Sequence, residues 1–86
     1  MRAPKQPSRE PVIKRLRRAE GHLRAITRLL ATTRSTVNIA QQIRAVEAAV
    51  AHAKQQLIHD HMQHCVERRD LSGDALRELR QLAKFL

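Results

Sequence analysis

At 86 residues and a net charge of +9, with Phe85 as the one Phe, Tyr or Trp, the chain makes one small domain whose core must be built from Leu, Ile, Val and Ala. A core of this size is marginal alone, and oligomerisation commonly supplies the missing burial. The single cysteine, Cys65, excludes an intrachain disulfide framework. No apolar run is long enough to span a bilayer, and the polar, proline-containing start is not a signal peptide, so the expected setting is the reducing cytoplasm, with no membrane partner.

The charge is localised. Residues 1–34 carry ten Lys/Arg against Glu10 and Glu20, a net of +8, whereas residues 35–69 net +1 and residues 70–86 net zero. A dense run such as Lys14-Arg15-Leu16-Arg17-Arg18 favours a polyanion through phosphate neutralisation and counterion release. Double-stranded DNA is the preferred reading; a solvated helix face and attraction to anionic lipid are the alternatives.

Residues 1–9, with Pro4, Pro7 and Ser8, read as a flexible basic arm, leaving residues 10–86 as a single helical domain. Ser8 or Arg9 precedes the first helix, and Glu10 and Pro11 suit its first turn. Apolar positions then fall at Val12, Leu16, Ala19, Leu23, Ile26 and Leu30, a heptad seam widened by Ile13 and Leu29. The polar cluster Thr32-Thr33-Arg34-Ser35 ends the pattern and offers capping side chains to the next helix. There the seam repeats as Ile39, Ile43, Val46, Val50, Ala53 and Leu57, continuing through Ile58, His61, Met62 and Cys65. No Gly or Pro interrupts residues 36–72, which predicts one helix of roughly 30 residues, about 45 Å long. That length exceeds what a monomer of this size can cover. Residues 70–74 read as a stop followed by a start, and a short third helix is expected to carry Leu76, Leu79, Leu82 and Leu86 on one face. The expected fold is all-α: a three-helix hairpin protomer that pairs into a four-helix-bundle dimer, and a dimer of dimers beyond that.

Three of the five histidines lie within six residues of Cys65. His61 and Cys65, at i and i+4, share a helix face and extend the buried seam. An imidazole and a thiolate so placed fit one soft or borderline metal ion. They fit equally an inert buried cysteine beside a hydrogen-bonded histidine. His64 lies nearer that face and can assist; His59 reads as a surface residue, His52 as a half-exposed filler, and His22 as packing or DNA-adjacent. No carboxylate pair, Ser/His/Asp set or Gly-rich phosphate loop is visible, so an enzyme is not expected.

Three blocks carry a resemblance. Ile13-Lys14-Arg15-Leu16-Arg17-Arg18-Ala19-Glu20-Gly21-His22-Leu23, then Ile39-Ala40-Gln41-Gln42-Ile43-Arg44-Ala45-Val46, then Leu57 through Cys65 with its His-x-x-x-Cys element, resemble the copper-sensitive operon repressor family (CsoR/RcnR/FrmR type) over about residues 12–69, with a weaker match over 76–86. The resemblance implies a transcriptional repressor: a homodimer of helical hairpins, associating into a homotetramer, that binds operator DNA and lets go when an inducer binds. Family inducers include Cu(I), Ni(II) or Co(II), formaldehyde and reactive sulfur species. It assigns DNA contacts to Arg15, Arg17, Arg18 and Arg44, alongside Lys14 of the same run, with Lys54 as an addition. It assigns the sensor site to His61 and Cys65, with Glu78 matching an acidic residue that supports the ligands.

The chain departs from the family at one ligand. The cysteine expected near the start of the second helix, six residues before Gln42, is Thr36, which is not a soft ligand. No histidine precedes His22 to replace it in the manner of the nickel–cobalt branch. The expectation is therefore a repressor released by a transition metal, Cu(I) or Ni(II)/Co(II), bound at His61 and Cys65, with His64 or Glu78 completing the set or the ion held two-coordinate as Cu(I) can be. An aldehyde- or electrophile-responsive repressor of the same fold, and a constitutive DNA-binding protein that has lost its switch at Thr36, stay open beside it.

Overall fold

The computed structural model describes residues 8–86; most of the basic arm expected over residues 1–9 lies outside the described residues. Helix α1 runs Glu10–Thr32, α2 runs Thr36–Glu67 and α3 runs Gly73–Leu82, followed by a 3-10 turn at Ala83–Phe85. The fold is all-α, as the heptad spacing predicts. Pro11 sits in the first turn of α1, where its missing N–H costs nothing. Ser35 caps α2 by accepting the Asn38 amide at 3.2 Å, and Ser72 caps α3 by accepting that of Ala75 at 3.2 Å.

Helices α1 and α2 form an antiparallel hairpin joined by Thr33–Ser35. Its seam is built from every seventh residue. Val12, Ala19 and Ile26 are buried on α1, and Ile39, Val46 and Ala53 on α2. Each step of seven up one helix meets a step of seven down the other, so Ala19 and Ile26 cluster with Val46 and Ile39. Alanine at positions 19 and 53 lets the backbones approach. Two polar contacts tie the same helices together: Arg15 Nε donates to Gln56 Oε1 at 2.6 Å, and His22 Nε2 lies 2.6 Å from Gln42 Oε1.

The other half of each predicted seam is not covered. Leu16, Leu23 and Leu30 on α1 and Ile43, Val50 and Leu57 on α2 are all exposed. Two helices make only one line of contact, so one heptad position packs within the hairpin and the other faces outward. Leu23, Ile43 and Val50 line a single groove of about 510 Å3. The described protein measures 55 × 30 × 14 Å, and its smallest dimension is little more than the roughly 10–12 Å of one helix with its side chains.

Because α1 begins only at Glu10, the last turns of α2 overhang the hairpin, and α3 returns alongside them. Ile58 and Cys65 are buried on this overhang, and Ala75 is the buried residue of α3. Here the structure corrects the expected face of α3. Ala75, Leu79 and Leu82 turn inward at i, i+4 and i+7; Leu76, about 100° round the helix from Ala75, is exposed, and so is Leu86, since the helix ends at Leu82 and the chain tightens into the 3-10 turn.

Candidate metal centre and nucleic-acid surface

The candidate metal centre sits on the overhang. Cys65 is buried and His61 is half-buried one turn before it, with His61 Nε2 3.7 Å from Cys65 Sγ. Helical spacing alone accounts for the meeting. Protein ligands stand about 2.0–2.1 Å (nitrogen) and about 2.3 Å (sulfur) from a zinc-like ion, which separates two of them by about 3.5 Å at a tetrahedral angle and about 3.7 Å at a trigonal one. The pair therefore fits a metal ion without rearrangement.

The third helix adds Glu78, whose Oε1 lies 3.6 Å from the same Nε2 of His61. His61, His64, Cys65 and Glu78 line one cavity of about 180 Å3, closed on its other sides by residues that include Arg68, Asp70, Ser72 and Asp74. Among the described residues, no three His, Cys, Asp or Glu side chains are gathered closely enough to hold a metal as they stand. Thr36 opens α2 and is exposed. It lies 29 positions from Cys65, about 43 Å along the helix, so a ligand from that position can reach this site only from another subunit. His59 and His52 are exposed, and His52 is thus more open than its predicted half-exposed state.

Position in the loop after α2 is set by an interlocking chain of backbone bonds. Arg69 N–H donates to Val66 O and Asp70 N–H to Cys65 O, each at 3.0 Å. Arg69 has φ 52°, the left-handed conformation that closes a Schellman motif. The Asp70 carboxylate then accepts the Ser72 amide at 3.2 Å. Hydrogen bonds from the Ser72 side chain and then its backbone, with the charge of Arg68, hold the Asp70 carboxyl below its ordinary value of 3.8 against a small opposing desolvation.

The basic residues lie elsewhere. Lys14, Arg15, Arg17, Arg18, Arg44 and Lys54 are all exposed. At about 100° per residue, Lys14, Arg15, Arg17 and Arg18 fan over an arc of about 160° on the side of α1 opposite Leu16 and Leu23. Lys54 instead borders the apolar groove with Leu23 and Val50, which separates it from that fan. Gln42 and Gln56, which hold His22 and Arg15, were not marked by the sequence; no local pattern distinguishes a glutamine facing a neighbouring helix from one facing water.

The helical hairpin thus carries one densely basic flank and an imidazole–thiol pair at its end. The chain belongs to the family of metal-sensitive transcriptional repressors, whose family model matches residues 8–86; its members are repressors, not enzymes. It is 35% identical over 74 residues to the copper-sensing transcriptional repressor CsoR of Bacillus subtilis, covering 86% of this chain and 73% of that protein. It is 37% identical over 60 residues to the copper-sensing repressor RicR of Mycobacterium tuberculosis, covering 70% of this chain and 62% of that one. The CsoR of Mycobacterium tuberculosis is 32% identical over 76 residues, with 85% and 64% covered. The chain thus spans somewhat less than two thirds of the mycobacterial relatives. No solved structure matches it. No helix among the described residues is long and apolar enough to cross a membrane.

Proposed function

We propose that the chain represses transcription by binding operator DNA through the basic flank of α1, and releases it when a transition metal ion, Cu(I) or Ni(II)/Co(II), binds at His61 and Cys65. The observation that carries this reading is the 3.7 Å approach of His61 Nε2 to Cys65 Sγ at the buried end of α2. The copper-sensing names of the relatives support copper among the candidate ions. The ion would supply positive charge and a fixed ligand geometry; His61 and Cys65 would hold it between α2 and α3. Release requires that His61 and Cys65 bind more tightly in the low-DNA-affinity arrangement, because equal affinity for two states shifts neither. The exposed line of Leu23, Ile43 and Val50 supports a homodimer, itself the building block of a homotetramer, acting in the cytoplasm with residues 1–9 as a basic arm.

The test is operator binding by wild type, His61→Ala and Cys65→Ala, each with and without Cu(I), Ni(II) and Co(II). Both variants are expected to bind DNA as tightly as the metal-free wild type and to stay bound when metal is added. Release that persists in both variants would sink the proposal. Thr36 favours a second reading, a DNA-binding protein without a metal switch. Its mark would be a wild type whose operator binding ignores all three ions; formaldehyde-triggered release would point to the electrophile-responsive variant of the same fold.

A further inference from the structure

The supporting role expected for Glu78 requires it to accept a hydrogen bond from the ring nitrogen that the metal leaves free. The structure puts it elsewhere. Glu78 Oε1 is 3.6 Å from His61 Nε2, and this is the nitrogen that faces Cys65 Sγ at 3.7 Å. Carboxylate and thiol therefore both approach this one ring nitrogen, each at a separation that two ligands of a shared ion keep, although the three side chains are not gathered closely enough to hold an ion as they stand. Nitrogen and oxygen ligands at about 2.0–2.2 Å from an ion stand about 3.4–3.6 Å apart at tetrahedral to trigonal angles.

We propose that Glu78 is itself a metal ligand, and that this chain's site is an imidazole–thiolate–carboxylate set for a divalent ion of borderline softness, of the Zn(II) or Co(II) class, rather than for Cu(I). The inference rests on the reading of His61 and Cys65 as the metal-binding pair and names what completes it. Three further observations support it. His61, Cys65 and Glu78 line one cavity, whose volume of about 180 Å3 accommodates an ion with water to spare. The thiol that would make the site soft is replaced by Thr36, while a carboxylate hardens it. Charge favours it as well: one thiolate and one carboxylate neutralise a divalent ion, and the rest of the cavity lining sets Arg68 against Asp70 and Asp74. The Glu78 side chain is 57% exposed, so its carboxylate can turn towards Cys65 without displacing packed neighbours.

The experiment titrates the reduced chain anaerobically with Zn(II), Co(II) and Cu(I) against competing chelators, and records the Co(II) spectrum. Thiolate-to-Co(II) charge transfer reports Cys65, and the ligand-field bands report the rest of the set. Glu78→Ala and the isosteric Glu78→Gln are expected to keep the helical circular dichroism, to weaken Zn(II) and Co(II) binding beyond the roughly 100-fold upper range for losing an outer partner, and to shift the ligand-field bands. Their Cu(I) affinity is expected to match wild type. Unchanged Zn(II) affinity and Co(II) bands in both Glu78 variants would overturn the inference, as would dependence on His64 instead. A wild type that binds only Cu(I), through His61 and Cys65, would overturn it while leaving the proposed function standing. A wild type that binds none of the ions, or binds them equally without His61 and Cys65, would remove both.

Discussion

The backbone carbonyl of Cys65 accepts the amide of Asp70 at 3.0 Å, so the residue that offers sulfur to the candidate metal centre also anchors the loop that launches α3. The chain of contacts continues from the Asp70 carboxylate to the Ser72 amide, and from the Ser72 hydroxyl to the Ala75 amide at the start of the helix that carries Glu78. The ends of the two helices are thus tied by one backbone bond and two side-chain acceptors in a short loop.

The tight point in that loop is Arg69, held at φ 52° where glycine is the usual occupant. The left-handed region costs a residue with a Cβ about 1–2 kcal/mol, part of which glycine returns through the entropy of its unfolded state. Arg69→Gly is expected to stabilise the protein by about 0.5–1 kcal/mol, and Arg69→Val to destabilise it by more than that. Urea unfolding at one fixed protein concentration checks both; a glycine variant less stable than wild type would show that Arg69 contributes more through its side chain than its backbone conformation costs.

Asp70 gives the same loop an acid limit. Its carboxyl is held below 3.8 chiefly by the Ser72 hydrogen bonds, so the folded state favours the charged form. The resulting stabilisation is fully present above 3.8 and is lost as the pH falls through the lowered folded value. Asp70→Asn keeps an acceptor but loses the charge. The variant is expected to be less stable than wild type at neutral pH, with the difference vanishing on acidification below the carboxylate range. Ser72→Ala should raise the Asp70 pKa towards its ordinary value, measurable by NMR titration, and cost about 1 kcal/mol through the lost α3 cap. An Asp70 pKa that does not move in Ser72→Ala would assign the shift to the amide of residue 72, which the substitution keeps, rather than to the hydroxyl.

The long helices, the break at residues 32–35 and the stop at residues 70–72 were all legible, because apolar spacing, capping residues and Gly/Pro placement are local signals. The division of labour within each seam was not. Val12 and Leu16 belong to one heptad pattern, yet the first packs inside the hairpin and the second faces outward, and periodicity carries no label for the partner helix. His61 and Cys65 could be paired from their spacing of four alone. Glu78 entered by resemblance, and its approach to His61 Nε2 depends on the direction in which the 69–72 loop returns α3. The turn at Arg69 was invisible because its sequence lacks the glycine that usually marks such a cap.

Leu23 and Val50, both exposed on the groove between α1 and α2, provide the test of what covers that face. A fully buried side chain of this kind is worth about 1.5–3 kcal/mol, or about ten- to a hundredfold in a dissociation constant. Wild type is expected to sediment as a dimer or larger, and Leu23→Glu and Val50→Glu to shift towards monomer with a lowered midpoint of thermal unfolding. The shared groove makes the two substitutions interdependent, so the double variant should be little worse than either alone. A wild type that sediments as a monomer at all concentrations would show that the face is not a subunit interface.

The basic fan on α1 makes a prediction about slope rather than affinity alone. Each phosphate neutralised contributes about 0.9 to the dependence of log K on log salt. Replacing Arg17 and Arg18 together by Ala should therefore reduce the slope of operator binding by nearly two and weaken binding across unrelated sequences alike. Lys84, in the C-terminal segment that carries no net charge, serves as the control, and its replacement by Ala should leave the slope unchanged. Arg15 is distinguishable from its neighbours, because its Nε is already engaged by Gln56 at 2.6 Å. Gln56→Ala frees that guanidinium and removes part of its positioning without removing its charge. The expected outcome is an unaltered salt slope with weaker discrimination between operator and random DNA, read by fluorescence anisotropy across a salt series. A slope that falls in Gln56→Ala as far as in Arg15→Ala would mean that Arg15 reaches phosphate only when Gln56 holds it.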